Sequence, residues 1–365
     1  MRSEWQEATL GEIVNFRRGH DLTRKNMNPE GRYPVVGSNG VIGFHDSYTL
    51  KGPLLTIGRS GNVGTPYFLE GAGWAHNTTL YVDDFKENEP RFIYYFLQTI
   101  PFAQYGGGSA VPTLNRNHIH PLKVIYPKKV SIQKAIAATL SCLDAKIEVN
   151  NKIIKNLEQQ AQAIFKSWFV DFEPFQDGEF VESELGLIPK GWRAGSLGEI
   201  IKITSGKRPK ARQERKDSLF RYPLFGASGI MGYTSAYLYN EKIITIGRVG
   251  THGKVQEISE ASWPSDNTLV IMPKHYGFVA SVLKAIDYGA LNRGSTQPLI
   301  TQTDIKNTKI VVPATEILGK FEDMYKMYFN LSRTINTQNT TLSALRDTLL
   351  PKLMSGEIEV PVEQD

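Results

Sequence analysis

A single cysteine, Cys142, stands among 365 residues, so neither an internal disulfide nor a cysteine-based zinc site can form, and a reducing compartment is expected. No unbroken apolar run of 18 residues occurs, and Met1–Leu10 holds no apolar leader core. Membrane spanning and secretion are therefore not encoded, and a cytoplasmic location is expected. Catalytic constellations are missing too. The histidines at 20, 45, 76, 118, 120, 252 and 275 are unmatched between the two halves of the chain and none has metal-ligand spacing; no acid/base pair is duplicated.

Glycine patterns that suggest nucleotide binding fail on context. Gly58-x-x-Gly61-x-x-Gly64 and Gly247-x-x-Gly250-x-x-Gly253 precede strand-like segments rather than a helix, so a dinucleotide fingerprint is rejected. Gly253-Lys254 is followed by Val255 and lacks the upstream glycine of a Walker A loop. A KH-type clamp lacks its flanking helices. Asp171-Phe-Glu-Pro-Phe175 is similar to the Asn/Asp-Pro-Pro-Tyr/Phe motif of amino-methyltransferases, but Glu replaces the first proline and no cofactor-binding glycine motif precedes it.

What is present is a repeat. Trp5 with Leu10-Gly-Glu-Ile13 returns as Trp192 with Leu197-Gly-Glu-Ile200. Tyr33-Pro34 and Gly37-Ser-Asn-Gly40 return as Tyr222-Pro223 and Gly226-Ala-Ser-Gly229, Thr56-Ile-Gly-Arg-Ser-Gly61 as Thr245-Ile-Gly-Arg-Val-Gly250, Trp74 as Trp263, and Gly108-Ser-Ala-Val-Pro112 as Gly294-Ser-Thr-Gln-Pro298. The order is conserved between copies and the offset stays between 186 and 189 residues, too long for a solenoid unit. Two similar domains are expected. Within each copy, Leu54–Ile57, Thr79–Val82, Ile243–Ile246 and Lys309–Val312 read as strands, and one amphipathic helix falls near Arg91–Ile100 and Phe278–Ile286.

After Pro127 and Pro313 the apolar period changes to alternating steps of three and four. The first seam runs Ile132, Ile136, Leu140, Leu143, Ile147, Asn150, Ile154, Leu157, Ala161, Ile164 and Trp168, with Phe165 beside it. The second includes Leu331, Ile335, Gln338, Leu342, Leu345 and Leu349. Each predicts a helix of about 37 residues, about 55 Å long, whose stripe is matched in length only by its own repeat; the two are expected to pair as a coiled coil. Asn150 and Gln338 are either register-setting polar residues or tolerated half-exposed positions. The expected segments are a domain at 1–130, a helix at 131–170, an acidic linker at 171–190, a second domain at 191–314, a helix at 315–352 and a tail at 353–365. The linker is long enough to permit either helix orientation.

Charge follows these boundaries: +3 over 1–130, +2 over 131–170, −5 over 171–190, +8 over 191–314 and −3 over 315–365. Two cationic domains suggest a polyanion bound at two places. Arg17, Arg18 and Lys25 fall in a basic loop of the first copy, and Lys207, Arg208, Lys210 and Arg212 in the second, where six cations occupy Lys207–Lys216. Arg59 and Arg248 sit on glycine-rich turns able to present a guanidinium to a phosphate or base edge, or simply to solvent. Ser38, Asn39, Ser60, Asn77, Ser228, Asn267, Ser295, Thr296 and Gln297 are the polar turn residues available for base reading, or for turn capping.

Together these motifs, with the endings Ile164-Phe-Lys-Ser-Trp-Phe169 and Leu349-Leu-Pro-Lys-Leu-Met-Ser-Gly-Glu-Ile358, resemble the specificity subunits of type I restriction–modification enzymes over essentially the whole chain. The resemblance implies an α+β protein: two similar β-rich target-recognition domains separated by two long helices packed as an antiparallel coiled coil, with approximate two-fold symmetry. It implies a non-catalytic DNA-binding subunit that docks two modification subunits carrying S-adenosylmethionine, with restriction/translocase subunits using ATP and Mg. A half-site of about three to five base pairs is expected per domain, with helix length fixing the spacer. Ala-Val at 110–111 in place of Thr-Gln, and His76 where an acid precedes Asn, depart from the family pattern. The alternative reading is a coiled-coil scaffold whose basic domains bind another acidic partner.

Overall fold

The computed structural model of the protein describes residues 4–106, 113–248, 253–289 and 300–361. The chain forms two compact units, Met1–Asn151 with Thr337–Asp365, and Lys152–Asn336. The division runs through the middle of both long helices. Each unit thus owns half of each helix.

In the first unit a four-stranded antiparallel sheet takes the order Asn15–Arg18, Thr79–Asp84, Leu54–Gly58, Pro66–Leu69. A three-stranded sheet sets Tyr33–Gly37 between Gly40–His45 and the parallel Trp74–Ala75. A ribbon pairs Trp5–Thr9 with Lys123–Pro127. The second unit repeats each piece. Its four-stranded order is Ile201–Ser205, Thr268–Pro273, Ile243–Gly247, Val255–Ile258, its three-stranded sheet joins Ile230–Thr234, Tyr222–Phe225 and Trp263–Pro264, and its ribbon pairs Arg193–Ser196 with Lys309–Val312. Leu54–Gly58 and Ile243–Gly247 are buried along their whole length, as central strands dense in β-branched residues should be.

The duplicated Leu-Gly-Glu-Ile motif has a local explanation. Thr9 and Ser196 open short helical turns, and Glu12 and Glu199 reach back to their backbone N–H groups at 2.6 and 2.7 Å, closing capping boxes. Leu10 and Leu197 are fully buried beneath these turns. The tryptophan ahead of each motif ties its domain to the C-terminal end of a long helix. Trp5 Nε1 donates to Met354 O at 3.0 Å, and Trp192 packs on Phe169, Phe172 and Phe175.

The long helices span Val130–Phe169 and Thr315–Met354. In the first unit Asp144 meets Arg346 at 2.7 Å and Asn150 meets Asn339 at 2.8 Å; in the second Phe165 packs on Phe321. In the first unit partner numbers fall on one helix as they rise on the other, so the pairing there is antiparallel. Leu143, Ile147, Asn150, Ile154, Leu157, Ile164 and Phe165 all lie on the covered stripe of the first helix. The second departs from expectation. Gln338 is exposed, and Asn339 takes the seam place, because the spacing after Ile335 is four then three rather than three then four. Leu331 and Leu345 are 46% and 45% exposed and lie off the stripe, while Leu342 and Leu349 are half-buried. The acidic stretch 171–190 is not a plain connector: Phe180–Ser183 and Gly186–Pro189 form a hairpin in the second unit, turned by Gly186 at φ +90°. Among the described residues no helix is long and apolar enough to cross a membrane.

Candidate nucleic-acid interface

Each four-stranded sheet delivers a basic segment through a glycine that cannot be replaced by a larger residue in place. A Cβ on Gly19 would sit 2.1 Å from His76 O, and one on Gly206 would sit 2.2 Å from Ser265 O. The close approach allows Gly19 and Gly206 N–H to donate to Thr79 O and Thr268 O, each at 3.0 Å. The next residue, His20 or Lys207, donates its N–H to Ala75 O or Pro264 O, and accepts from Trp74 or Trp263 Nε1 at 3.4 or 2.7 Å. The duplicated tryptophans therefore clasp the root of each basic loop.

The Thr-Ile-Gly-Arg motif ends each central strand with an arginine whose backbone is fixed on both sides. Arg59 N–H donates to Thr78 O at 2.8 Å and its carbonyl accepts from Leu114 N; Arg248 donates to Asn267 O at 3.0 Å and accepts from Ile300 N. Thr79 and Thr268 are thus structural equivalents, which sets Asn77 against Asp266 and Thr78 against Asn267. The Arg59 guanidinium makes one long bond to Asn77 O, at 3.4 Å, and Arg248 Nε is buried without a partner among the described residues.

In the first unit these pieces converge. A cleft of about 680 Å³ is lined by Arg17, Arg18, His20, Arg59, Tyr81, Asn115, Arg116 and His118, among others. Arg17 and Arg18 lie on the strand Asn15–Arg18, not in the loop where the sequence reading put them; pairing with Leu80 and Tyr81 carries them onto the sheet. Asp83 holds Arg17 at 2.9 Å and Asp21 holds Arg18 at 3.3 Å, both pairs largely solvated and weak. Arg116 was not found by matching motifs, because the second copy carries Gln302 there. Both reach the first sheet strand, Arg116 at Phe16 O, 3.4 Å, and Gln302 at Ser205 Oγ, 3.2 Å. The position was legible only as the second residue after the aligned Leu114 and Ile300. Beside it, burial and then the Arg116 charge push the His120 pKa down, and its Nε2 accepts from Phe16 N–H at 3.1 Å.

The remaining expected residues are dispersed around this arrangement. Ser38 packs at the Gly58–Gly61 turn beside Arg59, Asn39 is exposed at the tip between two strands, and Ser60 bridges to Thr113. Asn77 donates to Asp21, and Lys25 lies exposed on the turn Arg24–Asn26, outside the cleft. In the second unit Lys207, Arg208, Lys210 and Arg212 are exposed with no carboxylate partner among the described residues. Thr204 and Ser205 take the places of Arg17 and Arg18, so the charge moves from strand to loop. Ser228 and Asn267 are exposed at turns, and Ser228 O accepts from Lys254 Nζ at 2.6 Å. Ser295, Thr296, Gln297 and the segment 108–112 lie outside the described residues. No cluster of three metal-binding side chains occurs among the described residues.

The family model for the type I restriction modification DNA specificity domain matches twice, at residues 2–159 and 189–345. The type I restriction enzyme MjaIX specificity subunit of Methanocaldococcus jannaschii is 32% identical over 74% of this chain and 69% of its own length. The type I restriction enzyme HindI specificity subunit of Haemophilus influenzae is 23% identical over 95% of this chain and 88% of its own. The crystal structure of a type I restriction-modification system S subunit from M. genitalium has the same fold, with a TM-score of 0.60 at 18% identity over 96% of both chains. Two copies of one DNA-specificity module, each ending in half of an antiparallel helix pair, account for the duplicated motifs, and the chain belongs to the type I restriction–modification DNA specificity family.

Proposed function

We propose that this chain is the DNA-reading subunit of a type I restriction–modification complex and recognises a target in two parts. The duplicated tryptophan clasp, Trp74 or Trp263 at the root of a segment that carries cations in both units, is the observation that carries the reading. A stable root with a solvated cationic loop suits phosphate contact, while Arg59 and Arg248 on fixed backbone suit base edges. The continuous helices, about 60 Å each at 1.5 Å per residue, support a fixed spacer between the two half-sites. Their exposed faces, including Leu331 and Leu345, suit docking of two modification subunits. Those subunits would supply S-adenosylmethionine chemistry, and restriction/translocase subunits ATP and Mg, in the cytoplasm; the chain itself contributes recognition.

The test is duplex binding by this chain with its modification subunit across a salt series. Sequence-selective binding whose logarithm falls linearly with log salt, by about 0.9 for each phosphate neutralised, is expected. Assembly of proteins with no preference among duplexes would assign the chain to the scaffold class instead.

A further inference from the structure

Two exposed apolar side chains occupy matching places on the two units and take no part in either core. Ile42 on Gly40–His45 and Met231 on Ile230–Thr234 are 45% and 41% exposed. Each lies across a glycine at the end of the neighbouring strand, Gly37 as its last residue and Gly226 just after it. A Cβ on Gly37 would sit 3.0 Å from Ile42 Cγ2, and one on Gly226 would sit 2.9 Å from Met231 Sδ. Both glycines therefore make a floor on which the side chain rests with its outer surface in water. Val41 and Phe44 on the first strand and Ile230 on the second are exposed as well, so each hairpin presents apolar surface to solvent, and apolar surface duplicated in this way points to a ligand with an apolar group to offer.

The surroundings define that ligand by charge. In the first unit the segment carrying Arg24 and Lys25 packs along the same strand: Met27 Sδ lies against Gly43, and Asn28 N–H donates to Phe44 O at 2.9 Å. The result is a hollow of about 700 Å³ with Ile42 and Phe44 on its wall and Arg24 at its edge. In the second unit the loop bearing Arg208, Lys210 and Arg212 runs beside Met231's strand, joined by reciprocal Gln213–Tyr233 backbone bonds of 3.1 and 2.8 Å. Lys254 Nζ reaches Ser228 O at the hairpin tip. An apolar knob beside a cation-bearing segment complements a polyanion that exposes small apolar groups. Duplex DNA does so in its major groove, where the apolar feature of a base edge is the 5-methyl group of thymine.

We propose that Ile42 and Met231 each contact a thymine methyl in the half-site read by their own unit. This rests on the reading that both units bind duplex DNA. It makes thymine recognition depend on a residue other than Arg59 or Arg248 and, in the first unit, outside the cleft that Arg59 lines.

The experiment uses the full chain with its modification subunits and the duplex carrying its own methylated motif, with each thymine replaced singly by deoxyuridine. One position in each half should bind about fourfold more weakly, the worth of one buried methyl group. Ile42→Ala should abolish the penalty in one half only, and Met231→Ala in the other. A half-site made of G·C pairs alone, or deoxyuridine tolerated everywhere while selective binding persists, overturns the proposal. Variants that lose modification-subunit assembly while still discriminating thymine from deoxyuridine assign this face to a protein contact and overturn it as well. Loss of all selective DNA binding by the unaltered complex would instead defeat the broader reading on which it rests.

Discussion

Replacing Asn150 with leucine removes the donor that satisfies Asn339 Oδ1 inside the helix seam, where the two side chains are 1% and 7% exposed and bonded at 2.8 Å. Asn339 keeps its second bond, donated to Asn151 Oδ1 at 2.9 Å, so one buried acceptor is stranded. An orphaned buried group costs about 1–3 kcal/mol. Both asparagines lie in the first unit, and at that size a 2 kcal/mol loss lowers the unfolding midpoint by about 4–8 °C. The double variant Asn150→Leu/Asn339→Leu converts the site to an apolar pair and should recover most of the loss. Unfolding of the two singles and the double, read as a double-mutant cycle, should give a coupling energy of about 1–3 kcal/mol. Additive losses, or a single Asn150→Leu that raises stability, would refute the claim that the pair acts as a unit.

Three further outcomes are expected. Gly206→Ala should displace the root of the second basic loop, since its Cβ would overlap Ser265 O at 2.2 Å, and should weaken DNA binding while far-UV circular dichroism shows the sheets intact; unaltered affinity would remove the clasp from the account. The His120 pKa is lowered in the fold, so the unfolded chain binds the extra proton first. Stability is therefore full above about pH 6.5 and declines as pH falls from there toward the folded-state pKa, and His120→Gln should flatten that part of the midpoint-versus-pH curve; parallel curves for the two proteins would contradict it. Arg116→Gln, which copies the second unit's residue, should weaken duplex binding and reduce the salt slope if its guanidinium meets a phosphate, with both read from titrations at several salt concentrations.

Much of this architecture was legible because duplication gives each motif a second witness. Leu-Gly-Glu-Ile, Thr-Ile-Gly-Arg and the two tryptophans recur wherever backbone geometry admits one solution: a capping box, a buried strand end, a clasp on a close-packed glycine. The heptad period found both long helices, but it could not choose between Gln338 and Asn339. Three-then-four and four-then-three spacings after Ile335 satisfy the same stripe, and only the partner Asn150 selects one. Leu331 and Leu345 fit the apolar period yet face solvent, since the pattern records hydrophobicity and not what covers it. Arg17 and Arg18 looked like loop residues because a polar pair ahead of glycine resembles a turn; cross-strand pairing with Leu80 and Tyr81 overrides that local signal. Arg116 escaped because the second copy carries Gln302 at that place, so no duplicated motif marks it.

The most direct measurement is the methylated motif of a cell carrying this chain and its modification subunit, mapped across the genome for the unaltered protein, Arg59→Ala and Arg248→Ala. A motif in two parts with a constant gap is expected, Arg59→Ala relaxing one part and Arg248→Ala the other. A continuous motif, or equal erosion of both parts by either substitution, would contradict the assignment of one half-site to each unit.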